Sequence, residues 1–363
     1  MKLLDRMLLS DYVRAGLIAL VSLLSLYIVI DLFNKIDEFP AQDNFWRWAK
    51  GIAQYYSYQI VLIFDRLYAV MAVLAAMFTL AWLQRNNELV PLLAAGVPVG
   101  RLFWPIFAGT GLFLIAGAAN REWLMPRVAE QLQQPAHDPQ GEKLRPVQAA
   151  YDSNGVLVGG RAADPRRRVI LDFTCTLPER LAGGLVNVTA REARYIPRGP
   201  GRYTGGWLLS QTTPADVSLG DGPLFALDPG KLFLKTTRVD YDLLTRQRGW
   251  YQFASTAELL NELRQGEAAR LAAIAVQVHA RLTLPLLTGI MVFMGLALLL
   301  RNHQRRAFLS ISLSVLLAVG FYLVGYVARY LGENEWIAPA LAAWAPILVF
   351  GPVSLLLGLG MQS

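Results

Sequence analysis

Long apolar runs crowd the two ends of this chain and are missing from its centre. Residues 15–36, 57–83 and 102–120 on one side, and 274–300, 307–330 and 337–360 on the other, each carry enough consecutive apolar side chains to span a bilayer. Crossing roughly 30 Å of hydrocarbon takes about 20 helical residues. The pattern predicts six membrane helices in a three-plus-three arrangement, the first three within 1–120 and the last three within 271–363. Only LGENEW (331–336) separates the last two runs and only MQS (361–363) follows them, so the second set is nearly all membrane.

Between residues 121 and 270 the periodicity changes. Short alternating runs at Val186 to Ala190, Tyr203 to Leu209 and Leu232 to Lys235 are interrupted by IPRGPGRYTGG (196–206) and LGDGPLFALDPG (219–230). Alternation broken by Gly and Pro is strand-and-turn chemistry, and it predicts a small all-β sandwich or jelly roll. STAELLNELRQG (255–266) differs: Ser255 or Thr256 as N-cap, Glu258 and Glu262 among apolar positions and Gly266 at the end predict a short amphipathic helix leading back to the membrane.

Composition fits a mixture of membrane spans and a polar insert: 54% hydrophobic, 17% charged, mean hydropathy +0.36. The formal charge of +7 is spread along the chain beside apolar runs rather than gathered on an aromatic-basic platform, which argues against nucleic acid. Its distribution sets orientation instead. Lys2, Arg6 and Arg14 precede the first run, Arg85 and Arg101 flank the loop after the second, and Arg301, Arg305 and Arg306 follow the fourth. The alternate loops are acidic or balanced, with Asp37, Glu38 and Asp43 against Arg47 and Lys50 in one, and Glu333 and Glu335 in the other. The positive-inside bias then puts both termini in the cytoplasm and residues 121–270 outside. No small-residue cleavage site follows the charged N-terminal stretch, so the first span is expected to be retained. A single cysteine, Cys175, allows neither an internal disulfide nor a CxxC metal site.

Catalytic signals are absent from the sequence. There is no G-x-x-x-x-G-K-[ST], so any ATP is expected on a partner chain, and no cofactor is expected here. His137, His279 and His303 are far apart without an H-E-x-x-H, and no nucleophile elbow is present.

Residues 84–101 (QRNNELVPLLAAGVPVGR) are mostly apolar although they fall in a cytoplasmic loop. A short helix over about 86–98, introduced by Glu88, has two readings: docking into a groove on a partner, or lying in the lipid interface. Here the chain resembles a known family. Glu88-Leu89 with Ala94 and Gly96 is similar to the S-E-L-x-x-[ML]-x-A-x-G segment of the LptF/LptG permeases. Further likeness lies in Leu4-Asp5-Arg6, Asp31-Leu32-Phe33, Glu122-Trp123 with Pro126, Arg281 with Pro285-Leu286, and Pro339 to Trp344-Ala345-Pro346. Asn87 stands where the family often has Ser, and Asp65-Arg66-Leu67-Tyr68-Ala69 where it commonly has a Pro, leaving assignment to LptF or LptG open.

The resemblance implies a permease subunit of an ABC transporter in the bacterial inner membrane, three-plus-three helices with an inserted periplasmic jelly roll. It implies a cytoplasmic ATPase dimer, a second LptF/LptG-type permease, a single-span accessory protein and a periplasmic bridge protein as partners, with lipopolysaccharide as cargo. Glu88, Leu89, Leu92, Leu93, Ala94 and Gly96 would then dock the ATPase. Arg281, Arg66, Arg329 and Lys35 are the candidates for the lipid's phosphates, since ionisable groups near span ends are partnered or functional. Competing readings are a carboxylate partner on a neighbouring helix for Arg281, a local pair with Asp65 for Arg66, and snorkelling for Arg329. Trp46, Trp48 and Trp336 read as interface anchors. Other classes that the pattern admits are a lipoprotein-release-type ABC permease, a membrane-bound lipid-modifying enzyme and a structural scaffold.

Overall fold

A computed structural model describes residues 3–39, 45–132, 144–201, 203–214, 222–246, 249–265, 270–301 and 307–359. Lys2, Asp43, His137, 219–221, Gly266, His303, Arg305, Arg306 and 361–363, all used in the sequence reading, lie outside the described residues. The chain divides into two compact units, one of Met1–Leu132 with Tyr251–Ser363 and one of Gln133–Trp250.

The first unit is helical. Its elements are α1 (Leu3–Lys35), α2 (Phe45–Arg85), the short α3 (Leu89–Ala94), α4 (Val99–Ala119), a π-helical turn at Asn120–Leu124 and α5 (Met125–Leu132). After residue 250 come α8 (Thr256–Gln265), α9 (Leu271–Arg301), α10 (Ala307–Glu333) and α11 (Pro339–Leu359). Among the described residues, five helical stretches are long and apolar enough to cross a membrane: Leu3–Lys35, Phe45–Arg85, Gly100–Leu132, Leu271–Leu300 and Pro339–Gly358. Helix α10 adds 27 residues where the fifth run was expected. Two helices outrun their apolar windows. Helix α1 begins ahead of its apolar run because Leu8 and Tyr12 bury on one face while Arg6 and Arg14 stay on the other. Helix α2 is 41 residues, about 60 Å at 1.5 Å per residue, longer than any hydrocarbon core.

The helices approach closely where a side chain is missing. Tyr12 is fully buried; its hydroxyl donates to the Ala72 carbonyl at 2.8 Å and lies 3.1 Å from Thr110 Oγ1, joining α1, α2 and α4. A Cβ on Gly109 would stand 2.4 Å from Tyr12 Cδ1, so only glycine admits that ring. Outward-facing Leu17, Ile18, Val21, Ile30 and Phe33 on α1 are exposed, an apolar face suited to lipid or another membrane helix.

The described residues of the second unit form one nine-stranded antiparallel sheet with two short helices, α6 (Glu179–Ala182) and α7 (Tyr241–Thr245). Strands β1 (Arg145–Pro146), β4 (Ala162–Asp164), β5 (Val169–Leu177), β6 (Val186–Ile196), β7 (Gly206–Thr213), β9 (Lys231–Lys235) and β8 (Leu224–Asp228) follow in that spatial order. Strand β2 (Ala150–Tyr151) pairs with β3 (Leu157–Gly159), which pairs with β5 beyond β4. Trp207, Phe173, Val188 and Leu209 fill the buried face. The sheet's alternation slips along one row. Pairing passes from Leu171–Glu192 to Phe173–Ala190 and from Glu192–Ser210 to Ala190–Thr212, skipping Asp172, Arg191 and Gln211. Asp172 and Gln211 are left-handed (φ 48° and 55°), which resets the pleat so that Ile170 and Phe173 both face the core. The Asp152 carboxylate, buried, accepts from the Thr237 and Arg238 amides at 3.0 and 2.8 Å and pins the chain leaving β9, while Trp207 Nε1 donates to the Val239 carbonyl.

Candidate functional site

The loop after α2 is built by local backbone chemistry. Asn87 is left-handed (φ 57°), the ordinary way to end a helix, and the Glu88 amide donates back to the Leu83 carbonyl at 3.0 Å. Helix α3 then runs six residues, and the turn after it holds Gly96 (φ 78°), where the Val97 amide donates to the Leu92 carbonyl at 3.1 Å. This is shorter than the 86–98 helix expected from sequence. Its faces also differ from that reading. Leu89 is only 2% exposed and packs in the helical core, with Leu92 and Val97 against the same core, so Leu89 offers no surface to a partner. Glu88, Val90, Pro91, Ala94, Ala95 and Gly96 form the exposed side. The Leu93 side chain lies outside the description.

A second constellation is ionic and largely buried. Arg121, in the π-helical turn after α4, donates through Nε and Nη2 to both oxygens of Asp65 on α2, at 2.9 and 2.8 Å. The paired side chains are 14% and 10% exposed. Beside them, Glu122 accepts from the Thr256 amide at 2.9 Å and from its hydroxyl, so a carboxylate from another element caps α8. Arg281 on α9 donates from Nη1 to Thr256 Oγ1 at 2.9 Å and from Nη2 to the Ala254 carbonyl at 2.8 Å, with Glu122 at 3.7 Å. One π turn thus aims two successive residues at different partners, Arg121 toward α2 and Glu122 toward α8.

Arg281 therefore holds a structural post. Its side chain is 7% exposed and both Nη atoms are engaged within the chain, so the fork that sequence offered to a lipid phosphate is already committed; only Nε is buried with no partner among the described residues. Lys35 is similarly engaged: its ammonium lies 2.9 Å from Asp31 and 3.3 Å from the Tyr55 hydroxyl, while the Tyr56 hydroxyl donates to Asp31 at 3.0 Å. Arg66 is exposed and does not pair with Asp65, whose two oxygens face Arg121 instead. Arg329 is exposed on α10 and lines a cavity with Tyr322 and Tyr326.

Asp65, Arg121, Glu122 and Thr256 are the residues that sequence reasoning did not assign to a site. The available signal was an acidic residue inside the second apolar run and an Arg-Glu pair closing the third. Nothing in spacing revealed that Thr256 would meet Glu122 and Arg281. Among the described residues no group of three metal-ligating side chains gathers, and the sheet unit's lone thiol, Cys175, is buried, with its pKa pushed up to about 12 by desolvation.

The family model described as lipopolysaccharide export system permease LptF/LptG matches the chain over residues 6–159 and 188–359. No curated protein matches the chain.

Proposed function

From the premise that this chain belongs to the LptF/LptG family of lipopolysaccharide export permeases, transporter subunits rather than enzymes, we propose that it extracts lipopolysaccharide from the outer leaflet of the bacterial inner membrane. The cargo then passes to a periplasmic bridge, with a separate cytoplasmic ATPase supplying the energy. The observation that carries this reading is the family match along both membrane halves and into the sheet between them. The proposal includes six spans, both termini in the cytoplasm, a jelly-roll role for the sheet unit, a second permease of the same family, a single-span accessory protein and a bridge protein as partners.

Glu88 with exposed Val90, Pro91 and Ala94 is our candidate surface for the ATPase, with Leu89 and Leu92 anchoring the short helix from within. A charge at its leading edge and a small apolar face behind it suit a groove lined by apolar residues and one cation. Arg66 is our candidate for the cargo's phosphates, because its side chain is exposed while Arg281 and Lys35 are occupied inside the chain. The test is reconstitution: full-length protein with its ATPase in proteoliposomes should release lipopolysaccharide to an added acceptor only with ATP. ATP-independent release, or none from a complex that hydrolyses ATP, would refute it.

A further inference from the structure

Helix α9 presents Ala280, Leu284, Leu287 and Met291 to one cavity, a recurrence of three to four residues that runs about 16 Å along a single helix face. Phe321, Gly325 and Arg329 face it from α10 at the same spacing, and Ala69, Ala342 and Pro346 close it from α2 and α11. The cavity holds about 190 Å³ and is lined by four helices of one chain. Its threonines add no free donor: Thr283 and Thr288 hydroxyls donate to the Ala280 and Leu284 carbonyls at 3.2 and 2.9 Å.

The one charged lining residue sits toward the end of α10. Arg329 lies four residues, about 6 Å, before the end of α10, with Tyr322 and Tyr326 on the preceding turns. Among the described residues no carboxylate lies within ion-pair distance of its guanidinium. A mostly apolar cavity of about 190 Å³ with a single arginine in its lining suits part of an acyl chain continued by an anionic head group. Gly325 leaves the middle open, since a Cβ built there would meet only Pro346 Cγ, at 3.8 Å.

We propose that this slot binds one acyl chain of an anionic glycerophospholipid, whose phosphate sits on Arg329, as a resident lipid distinct from the exported cargo. A cavity of about 190 Å³ with one cation is too small for cargo with several chains and several phosphates. The inference needs only a membrane setting, so it stands or falls separately from the export reading.

The experiment uses full-length protein in phosphatidylcholine nanodiscs doped with phosphatidylglycerol carrying a diazirine midway along one chain, with adducts mapped by peptide mass spectrometry. Adducts should concentrate on Leu284 to Met291 and around Phe321. Gly325→Leu, which fills the slot, should remove them, and Arg329→Gln should lower them about tenfold, as for one lost charge-assisted bond, while a phosphatidylcholine probe shows no such dependence on Arg329. Arg329 is exposed, so its variant decides the question if Gly325→Leu fails to fold. Labelling confined to lipid-facing residues such as Leu17 and Ile18, or unchanged in the variants, would overturn the proposal. Loss of labelling when lipopolysaccharide is added before illumination would overturn it too, because the slot would then belong to the cargo path.

Discussion

Arg121 grips Asp65 with two parallel bonds, at 2.9 and 2.8 Å, and by doing so ties the turn that ends the third membrane helix to the middle of the second. Both side chains are largely out of water, so removing one strands the other. Asp65→Asn or Arg121→Ala should cost about 3–5 kcal/mol of stability in detergent, and the double variant should cost less than the sum of the two. Unfolding by denaturant, followed by tryptophan fluorescence, measures this. Strict additivity would show that the pair is not coupled.

Arg281 should act through structure rather than through cargo. Arg281→Ala should lower the melting temperature and free α8, seen as faster hydrogen exchange over residues 256–265, with Arg281→Lys intermediate because an ammonium can reach Thr256 or the Ala254 carbonyl but not both. A well-folded alanine variant that lost only lipopolysaccharide crosslinking would restore the phosphate reading.

Cys175 is buried beneath the sheet, and burial raises its pKa from the ordinary 9.0 to about 12. Folded protein at pH 8 should therefore resist maleimide, and unfolded protein should react at once. The sign for stability follows. The native thiol keeps its proton while the unfolded one loses it above about pH 9, so the sheet unit should weaken as pH rises from there toward 12.

Topology rests on charge and is testable apart from any contact. Reporters fused near residues 90 and 303 should read cytoplasmic and one near residue 200 periplasmic. A cytoplasmic reading at 200 would reverse the proposed orientation.

How much of this was legible follows from what each signal measures. Apolar length located the long helices, because burial in lipid leaves a run that needs no partner to be recognised. Alternation found β6, β7 and β9, but β5 escaped notice: its left-handed Asp172 breaks the period of two. Likewise the segment at Glu88 stood out as apolar residues in a charged loop, whereas the inward turn of Leu89 depended on a core assembled from α1, α2 and α4. Arg281 was conspicuous as a charge in a span. Its partners, 25 and 159 residues away in sequence at Thr256 and Glu122, were not, since no local period links them.

In the proposed function the permease carries cargo while another chain hydrolyses ATP, the two joined through the exposed edge of α3. The most direct measurement is the composition of the full-length protein drawn gently from native membranes, wild type beside Glu88→Lys. Wild type should bring a P-loop ATPase and lipopolysaccharide, and the charge-reversed protein should keep the lipid and lose most of the ATPase. Full ATPase stoichiometry in Glu88→Lys would contradict the docking surface, and wild-type protein carrying neither ATPase nor lipopolysaccharide would contradict the export function itself.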